Sequence, residues 1–326
     1  MRTSGKPKVV DLFAGAGLLS HAFLAERFQV VYAIEQNAIA AQTYRRNVGD
    51  HVEVADISLA EPQGTCDVLI GGPPCQGFST LGRRDNSDPR NRLSMMMADW
   101  AEVLQPKVVV IENVPSFLTS KHWFRLKNRF EKLGYAVSSS VLNAADYGVA
   151  QLRFRCFAFA SRIDSPDAPS VRRKNYSTVR EAWEGLTLKP NGVNGHDART
   201  PSSLAHARMK LIPPGGDKRD LLRLAPDLVP KSWAKIGGQA TDVWGRILWD
   251  EPSNTLRTAL LNPSKGRYIH PDQHRVITLR EAARLHSIAD SWQFDGTPYQ
   301  VARQIGNGVP PALGRAVARQ VRLLFD

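Results

Sequence analysis

The sequence predicts an α/β protein: a parallel sheet with helices on both faces, followed by a smaller domain that is loop-rich and mostly β. Short apolar strands alternate with helical segments through the first half of the chain, which is the pattern of parallel crossover units. Residues 107–114 contain an unbroken apolar run at positions 108–111, as a strand buried on both faces requires. From about residue 186, proline, glycine and polar residues become frequent and helical periodicity weakens, which indicates a second domain.

Composition favours an intracellular globular protein with a polyanionic partner. The 326 residues are 42% hydrophobic and 23% charged, as is ordinary for globular proteins. There is no apolar run of about 18 residues and no signal-peptide core at the start, so we expect neither membrane association nor export. Three cysteines, Cys66, Cys75 and Cys156, are too few and too scattered for a disulfide framework or a zinc site. The net charge of +12 suggests a nucleic acid partner, although charge alone also fits a merely basic protein.

A glycine-rich turn follows the first predicted strand. Residues 8–13 are largely apolar, residues 14–17 read Ala-Gly-Ala-Gly, and residues 18–27 have helical spacing. Strand, glycine turn and helix in this order are typical of nucleotide-binding crossovers, where glycine lets the backbone approach the ligand closely. The third glycine of the dinucleotide fingerprint is replaced by Ser20. We therefore expect a ligand that carries a nucleoside but no pyrophosphate.

Two carboxylates end the next two predicted strands. Glu35 follows Gly15 by twenty positions, the spacing at which a carboxylate accepts hydrogen bonds from ribose hydroxyls. Asp56 could accept a hydrogen bond from an adenine amino group, with Ile57 under the ring. The alternatives are a solvated charge at a strand end for Glu35 and a helix cap or turn for Asp56.

The loop after the fourth predicted strand carries a cysteine. Residues 68–79 read Val-Leu-Ile-Gly-Gly-Pro-Pro-Cys-Gln-Gly-Phe-Ser, so an apolar strand passes into a loop made rigid by two prolines. Cys75 on such a loop is a candidate nucleophile, whereas its alternative is a small buried hydrophobe. Residues 80–92 hold four arginines and two aspartates in addition to a glycine, which suggests a closing lid or an ordinary surface loop.

Polar side chains also mark the ends of later strands. Glu112 and Asn113 end the apolar strand, at the edge where open α/β sheets place their sites. Gln151, Arg153 and Arg155 alternate along a segment that runs into another strand. Alternate residues of an extended chain share a face, so these three predict a fork for anions or carbonyl groups. The alternative is a solvated strand face.

Together these blocks resemble the DNA cytosine carbon-5 methyltransferase family. The resemblance covers nearly the whole chain in the family's order and rests on residues 11–17, Glu35, Asp56, and residues 72–79, 112–114, 151–155, 278–285 and 304–310. Proline-cysteine-glutamine followed by glutamate-asparagine-valine about 40 residues later is already a specific pattern. Two positions depart from it: Ala150 stands where many members have proline, and Gly308 where serine or alanine usually follows the glycine-asparagine pair.

The resemblance implies a Rossmann-like, S-adenosylmethionine-dependent methyltransferase sheet with S-adenosylmethionine as cofactor, S-adenosylhomocysteine as product and no metal. It assigns three groups of residues. The catalytic group is Cys75, Glu112, Arg153 and Arg155. The cofactor group is Phe13, Ala14, Gly15, Gly17, Glu35, Gln36, Asp56, Ile57, Pro74 and Asn307. The DNA group is Gln76, Ser79, Arg83, Arg84 and Gln151.

The expected reaction follows from the weak nucleophilicity of cytosine carbon 5. The Cys75 thiolate adds to carbon 6 of a base flipped out of the duplex. Glu112, kept protonated by burial, would serve the ring nitrogen N3. The family gives Arg155 the carbonyl oxygen of the base, Arg153 the neighbouring backbone, and Asn113 the bracing of the cysteine loop.

The family also implies a division of the chain into three segments. Residues 1–185 would be the catalytic and cofactor-binding domain, residues 186–298 the target-recognition domain, and residues 299–326 a segment returning to the first domain. Residues 186–275 hold 14 Lys and Arg against 8 Asp and Glu, as a DNA-facing module needs. The aromatic residues of this stretch, Trp233, Trp244, Trp249 and Tyr268, are expected to be mostly core.

Two helices are predicted near the C-terminus. Thr278 and Glu281 form a capping-box pattern that begins one of them. The last begins at Pro310, with one apolar face formed by Leu313, Val317, Val321 and Leu324.

The expected partner is double-stranded DNA, and we expect a cytoplasmic, nucleoid-associated bacterial monomer. It would act alone or with a cognate restriction endonuclease, without a physical complex. Two other functions remain open: methylation of cytosine in tRNA, and DNA binding without catalysis on the same fold. A nicotinamide-dependent dehydrogenase is disfavoured by Ser20.

Overall fold

The computed structural model describes residues 5–74, 93–164, 166, 168–170, 175–230, 233 and 242–326. The chain divides into two compact units. The first unit contains Met1–Tyr147, Phe154–Arg172 and Gly308–Asp326, and the second contains Gly148–Arg153 and Arg173–Asn307. The boundaries expected at 185/186 and 298/299 both lie inside the second unit, so this division places the start of the second unit earlier and the return of the chain later.

A seven-stranded sheet forms the centre of the first unit. Its strands are β1 (Lys8–Leu12), β2 (Gln29–Glu35), β3 (Val52–Val54), β4 (Val68–Gly71), β5 (Val108–Asn113), β6 (Ala136–Asn143) and β7 (Phe154–Ser161). They lie in the order β3-β2-β1-β4-β5-β7-β6. Strands β1 to β5 pair in parallel, whereas β7 is antiparallel to both of its neighbours. The predicted Rossmann-like sheet is confirmed, and the strand order reverses between β1 and β4, where such sheets bind ligands.

Helices connect the strands of the first unit and make up most of the regular structure of the second. Those of the first unit are α1 (Leu18–Ala25), α2 (Ala38–Asn47), α3 (Met96–Leu104), α4 (Lys121–Lys132) and α10 (Pro311–Arg322). Those of the second are α5 (Val179–Ala182), α6 (Ser203–Leu211), α7 (Lys218–Leu224), α8 (Leu279–Leu285) and α9 (Pro298–Asn307). Side-chain caps begin several of them, as Asn37 does for α2 and Ser120 for α4. Thr278 and Glu281 form the predicted capping box of α8.

The C-terminal helix α10 packs against α1. Leu313, Val317 and Val321 are fully buried, which confirms most of the predicted apolar face. A Cβ atom at Gly314 would lie 2.8 Å from the Cβ of Ala22, so glycine is what allows the two helices to approach closely. The described part of the chain contains no helix long and apolar enough to cross a membrane.

The prediction that the second unit is mostly β is wrong for its described residues. They contain no named strand, and their β pairing is limited to isolated bridges such as Arg246–Ile269 and Ile269–Val276. The physical reason is that many backbone carbonyls of this unit accept hydrogen bonds from arginine side chains instead of from a neighbouring strand.

Arg246 is the clearest example. Its side chain is buried, with 2% of the residue exposed. Its guanidinium donates to the carbonyl oxygens of Met209, Ile212, His270 and Gln273 at 2.6 to 2.9 Å. One planar group thereby supplies hydrogen-bond donors to two separate segments of the chain, residues 209–212 and 270–273.

Because such arginines are buried, not all of the positive charge of this region is available at the surface. Arg275 is also buried and makes two hydrogen bonds to the carboxylate of Glu281, at 2.8 and 2.7 Å. Trp244 and Tyr268 are buried as well, which agrees with the expectation that the aromatic residues are core. Part of the charge excess expected to face DNA is therefore internal and structural.

We predict that replacing Arg246 with leucine lowers the free energy of unfolding by about 3 kcal/mol or more, because several buried carbonyls lose their donor. Arg223→Leu is the matched control, since the Arg223 side chain is 71% exposed and its ion pair should contribute less than about 1 kcal/mol. Urea unfolding followed by tryptophan fluorescence measures both. Equal stability of the two variants would contradict the structural role of Arg246.

Candidate active site

The carboxyl ends of the parallel strands place the predicted site residues along one edge of the sheet. The glycine turn follows β1, Glu35 ends β2, and residues 72–74 follow β4. Glu112 and Asn113 end β5. Because β7 runs in the opposite direction, its beginning lies beside the end of β5, and Arg155 is brought to the same edge.

The turn after β1 has an unusual backbone. Phe13, Gly15 and Gly17 all have positive φ, at 60°, 55° and 88°. For phenylalanine this left-handed conformation costs on the order of 1 kcal/mol, and such strain concentrates at ligand sites. Gly17 is required sterically too, because a Cβ atom there would lie 2.7 Å from Cδ2 of Tyr44. The turn is thus held in one shape before any ligand binds.

Glu35 is fixed beside this turn. Its Oε2 accepts a hydrogen bond from the Gly15 amide at 2.8 Å, and its Oε1 accepts one from the Asn37 amide at 2.7 Å. Burial raises the pKa of Glu35, and the hydrogen bonds from Asn37, Gly15 and Gln36 oppose that shift. The carboxylate keeps further lone pairs with which it can accept hydroxyl groups.

Asp56 is a turn residue, which was one of the two alternatives that the sequence left open. Its Oδ1 accepts hydrogen bonds from the amide and the hydroxyl of Ser58, at 2.9 and 2.7 Å, as a turn residue does. These hydrogen bonds lower the pKa of Asp56. Its Oδ2 accepts a hydrogen bond from the Gln36 amide group at 3.0 Å, and Ile57 beside it is 5% exposed. One carboxylate oxygen therefore shapes the turn, while the other is held by an exposed side chain.

An ion pair joins the end of β5 to the beginning of β7. Nε of Arg155 lies 3.0 Å from Oε1 of Glu112, and the two side chains are only 15% and 10% exposed. A Cβ atom at Gly72 would lie 3.2 Å from Oε2 of Glu112, so the carboxyl group lies against the loop that follows β4. The sequence led us to expect Glu112 protonated by burial. The structure adds a neighbouring cation, and that attraction favours the charged form of a carboxyl group.

Asn113 connects β5 to the same loop. Its Nδ2 donates to the carbonyl of Pro73 at 3.1 Å, and its Oδ1 accepts from the amide of Val114 at 2.9 Å. Pro74 is half-buried and is the last described residue of this loop. Cys75 and the other predicted residues of this region lie outside the described residues, namely Gln76, Ser79, Arg83, Arg84 and the expected lid at 80–92.

Gln151 and Arg153 do not share a strand with Arg155. Strand β7 begins at Phe154, whereas the two preceding polar residues belong to the second unit and are fully buried. Arg153 donates to the carbonyls of Leu256 and Gly306, at 2.9 and 2.7 Å. The expected three-residue fork on one strand face is therefore wrong, because hydrogen bonds to distant backbone groups override the simple alternation of an extended chain.

Gln151 has a comparable structural position. Its Oε1 accepts from the Leu256 amide at 3.0 Å, and its Nε2 donates to the Leu285 carbonyl at 3.3 Å. Both side chains thus cross-link the second unit around Leu256. Asn307, which the family resemblance gives to the cofactor, is the exposed last residue of α9 in that unit, directly after the glycine that Arg153 contacts. Its role in cofactor binding stays a prediction.

One charged group of this edge was missed from the sequence. Asp11 in β1 is 1% exposed, and its Oδ2 accepts a hydrogen bond from the Ser20 hydroxyl at 2.6 Å. Burial raises the pKa of Asp11 to about 7, with the nearby charge of Glu35 adding to the shift. In the sequence, Asp11 begins the block at residues 11–17, and Ser20 stands in place of a fingerprint glycine, but neither feature indicated that the two side chains bond to each other.

The two other cysteines are poor candidates for a nucleophile. Burial raises the pKa of Cys66 and of Cys156 to about 12, and a thiol is a weak nucleophile unless it ionises. Within the described ranges, no cluster of three or more His, Cys, Asp and Glu side chains could hold a metal ion.

Comparison with known proteins identifies the family of the chain. Residues 7–322 match the family model described as C-5 cytosine-specific DNA methylase. The type II methyltransferase M1.HphI of Haemophilus parahaemolyticus is 34% identical, with 96% of this chain and 86% of the relative covered. The type II methylase M.HgiDII of Herpetosiphon aurantiacus is 30% identical, with 98% of this chain and 96% of the relative covered.

Solved structures show the same fold. A protein encoded within an Escherichia coli prophage superimposes with a TM-score of 0.70 at 25% identity, over 98% of this chain and 99% of that one. The Dnmt2 methyltransferase of Schizosaccharomyces pombe gives a TM-score of 0.69 at 19% identity, over 98% of both chains. The resemblance seen in the sequence blocks is confirmed: the chain belongs to the C-5 cytosine-specific DNA methylase family and is a DNA cytosine-5 methyltransferase.

Proposed function

We propose that this enzyme transfers the methyl group of S-adenosylmethionine to carbon 5 of a cytosine within a specific double-stranded DNA sequence. It flips the base out of the helix and adds Cys75 to carbon 6 of the ring. Family membership gives methyl transfer to cytosine in DNA. The observation that carries the finer proposal is the ion pair of Glu112 and Arg155, which lies against the loop leading to Cys75.

The residues at the ends of β1, β2 and β3 fit S-adenosylmethionine. The turn at Gly15 and Gly17 lets a ligand approach the backbone, and Phe13 offers an aromatic face next to it. The fixed carboxylate of Glu35 can accept the ribose hydroxyls, and Asp56 can accept the adenine amino group once Gln36 moves aside. Ala14, Ile57, Pro74 and Asn307 complete the proposed cofactor group. When bound, this cofactor supplies an electrophilic methyl group.

Cys75 is the proposed nucleophile. Its thiolate adds to carbon 6, and the ring electrons move toward carbon 5, which then attacks the methyl group. Loss of the carbon-5 proton to water and elimination of the thiolate restore the aromatic ring and the free enzyme. The high pKa values of Cys66 and Cys156 support giving this role to the remaining cysteine. Asn113 holds the carbonyl of Pro73, two residues earlier in the loop.

Glu112 and Arg155 are proposed to hold the base itself. Charge that develops on the ring at N3 is relieved by a proton or hydrogen bond from Glu112. Nε of Arg155 faces Glu112 and its Nη1 donates to the carbonyl of Phe154 at 2.7 Å. The guanidinium has five N–H donors, so we propose that one of the others reaches the carbonyl oxygen of the base. Since the ion pair favours a charged carboxyl group in the free enzyme, we propose that Glu112 gains its proton as the base enters. Arg153 acts indirectly, by holding the backbone at Leu256 and Gly306.

DNA binding and target choice are proposed for the loop that follows β4 and for residues 186–298. Gln76, Ser79, Arg83 and Arg84 would contact the flipped nucleotide, and residues 80–92 would close over it. Residues 186–298 would read the target sequence, with Gln151 bracing that region. We further propose a monomeric cytoplasmic enzyme, which acts alone or beside a cognate restriction endonuclease.

We predict that Cys75→Ser abolishes methylation, with a loss of at least about 1,000-fold, while binding of S-adenosylhomocysteine is kept. Bisulfite sequencing of DNA from cells that express each variant measures the product. Cys66→Ser is the matched control and should keep activity within about threefold, because its thiol is not ionised at neutral pH. Normal methylation by the Cys75 variant would contradict the proposal. Methylation of tRNA in place of DNA by the unchanged enzyme would favour the alternative of a tRNA cytosine methyltransferase.

We predict that Glu112→Gln and Arg155→Met each lower the single-turnover methylation rate by about 100-fold or more, because both act on the same ring. The double variant should lose little more than the worse single variant, since residues that act as a unit are non-additive. Lys107→Gln is the control, because its ion pair with Asp67 is exposed and lies at the other end of β5. Additive losses in the double variant would show that the ion pair does not act as one unit.

We predict that affinity for non-specific duplex DNA falls at least about tenfold between about 50 and about 200 mM salt, because bound phosphates release counterions. Fluorescence anisotropy with a labelled duplex measures it. An affinity independent of salt would contradict a DNA-binding surface built on lysine and arginine.

A further inference from the structure

Four side chains form one continuous chain of hydrogen bonds, which we call the file. It runs from Asp11 in β1 through Ser20 in α1 and Tyr44 in α2 to His51, which follows α2. The Ser20 hydroxyl lies 2.6 Å from Oδ2 of Asp11, and the Tyr44 hydroxyl lies 3.0 Å from Oγ of Ser20. Nε2 of His51 lies 2.9 Å from the Tyr44 hydroxyl. Asp11, Ser20 and Tyr44 are buried, whereas His51 is partly exposed. The file therefore connects a buried carboxyl group to an imidazole that reaches solvent.

Packing leaves this file little freedom to rearrange. The Tyr44 ring lies so close to the turn that a Cβ atom at Gly17 would be 2.7 Å from it. The rings of Tyr44 and His51 meet edge to face, with centroids 5.5 Å apart at 85°. The hydroxyl of Tyr44 is thus fixed between two partners by its own ring.

The four groups can donate their hydrogen bonds in either of two directions along the file. Each hydroxyl has one proton to donate, and a neutral imidazole carries its proton on one nitrogen only. When Asp11 is ionised it can only accept, so Ser20 donates to Asp11, Tyr44 to Ser20, and Nε2 of His51 to Tyr44. When Asp11 is protonated, every hydrogen bond of the file can reverse its direction. Nε2 of His51 then accepts from Tyr44, and His51 carries its proton on Nδ1.

Charged groups near the file set the pH at which its hydrogen bonds reverse direction. Glu35 faces Asp11 from β2 and adds to the effect of burial, which raises the pKa of Asp11 to about 7. From β4 the paired neighbour is Ile70, which has no charge. At the other end, burial lowers the pKa of His51 and the charge of Asp50 opposes that shift. A lowered pKa favours the neutral imidazole, and the tautomer of a neutral imidazole can follow the state of Asp11.

We propose that Ser20, Tyr44 and His51 are positioning residues for the Asp11 carboxyl group, and that their hydrogen bonds reverse direction together when Asp11 gains or loses a proton. One proton enters at Nδ1 of His51, one moves along each link, and one arrives on Asp11, so that the file gains a single proton. The consequence rests on the proposed function. Asp11 lies two residues before Phe13, where the residues assigned to the cofactor begin, and its ionised form would favour the cationic amino group of that ligand.

The direct test is nuclear magnetic resonance of protein labelled with nitrogen-15 in its histidines, with His51 assigned from the His51→Gln variant. On raising the pH from about 6 to about 8.5, the proton of His51 should move from Nδ1 to Nε2, with a midpoint near the pKa of Asp11. Tyr44→Phe keeps the ring but removes the link, so the tautomer should stop following pH. Tyr32→Phe is the control, since Tyr32 bonds to Glu53 outside the file, and should change nothing.

Calorimetry with S-adenosylhomocysteine provides a second readout. Its dissociation constant should fall about tenfold between about pH 6 and about pH 8, since one carboxyl group must ionise. Ser20→Ala should move that transition to higher pH, because the ionised carboxylate loses a donor. A His51 tautomer that ignores pH, or one that still titrates in Tyr44→Phe, overturns this inference. Absence of S-adenosylhomocysteine binding at every pH, with the tautomer still titrating, would instead overturn the proposed function.

Discussion

The ion pair between Glu112 and Arg155 depends on one feature of the sheet, the reversed direction of β7. Five parallel strands bring their carboxyl ends to one edge, but no parallel neighbour of β5 could bring the start of a strand there. In the antiparallel register Asn113 pairs with Cys156, so the residue before Cys156 lies next to the end of β5. Arg155 thus reaches Glu112 at the edge where Gly72 leaves room for the carboxyl group. The cysteine loop is tied to the same strand end by Asn113.

The half of the site proposed for the cofactor depends on a separate set of contacts around the glycine turn. Glu35 holds the turn through the Gly15 amide, and Tyr44 fills the space that Gly17 leaves open. The two halves of the site differ in the groups that surround their buried carboxyl groups. At the end of β5 a carboxyl group is paired with a guanidinium, whereas Asp11 is buried near a second carboxylate and accepts a hydrogen bond from the Ser20 hydroxyl. Burial and the nearby charge of Glu35 raise the pKa of Asp11 to about 7, whereas a paired cation favours the charged form of a carboxyl group in general.

The strands and their functional ends could be predicted from the sequence because local patterns determine them. A strand that is apolar throughout, followed by a polar residue, indicates both a buried parallel position and the edge at which Glu112 emerges. Glycine and proline mark the loops in the same local way. The residues that these patterns selected, including Glu35, Glu112 and Arg155, lie along one edge of the sheet.

Contacts between distant parts of the chain could not be predicted in that way. Arg153 bonds to carbonyls 103 and 153 positions away, and no local pattern distinguishes it from Arg155. Arg246 replaces strand pairing by hydrogen bonds from its side chain, so a loop-rich sequence gave a wrong expectation of β structure. The file from Asp11 to His51 crosses three elements, and only folding brings its hydroxyls into line.

The most direct measurement of the central claim is covalent trapping on duplex DNA that carries 5-fluorocytosine at the target position. Fluorine cannot leave carbon 5 as a proton does, so a thiol that has added to carbon 6 stays attached after methyl transfer. Mass spectrometry should find an adduct of protein with one DNA strand that forms only with S-adenosylmethionine and maps to Cys75. An adduct at Cys66 or Cys156, or methylation of normal DNA without any adduct on the fluorinated duplex, would contradict the account.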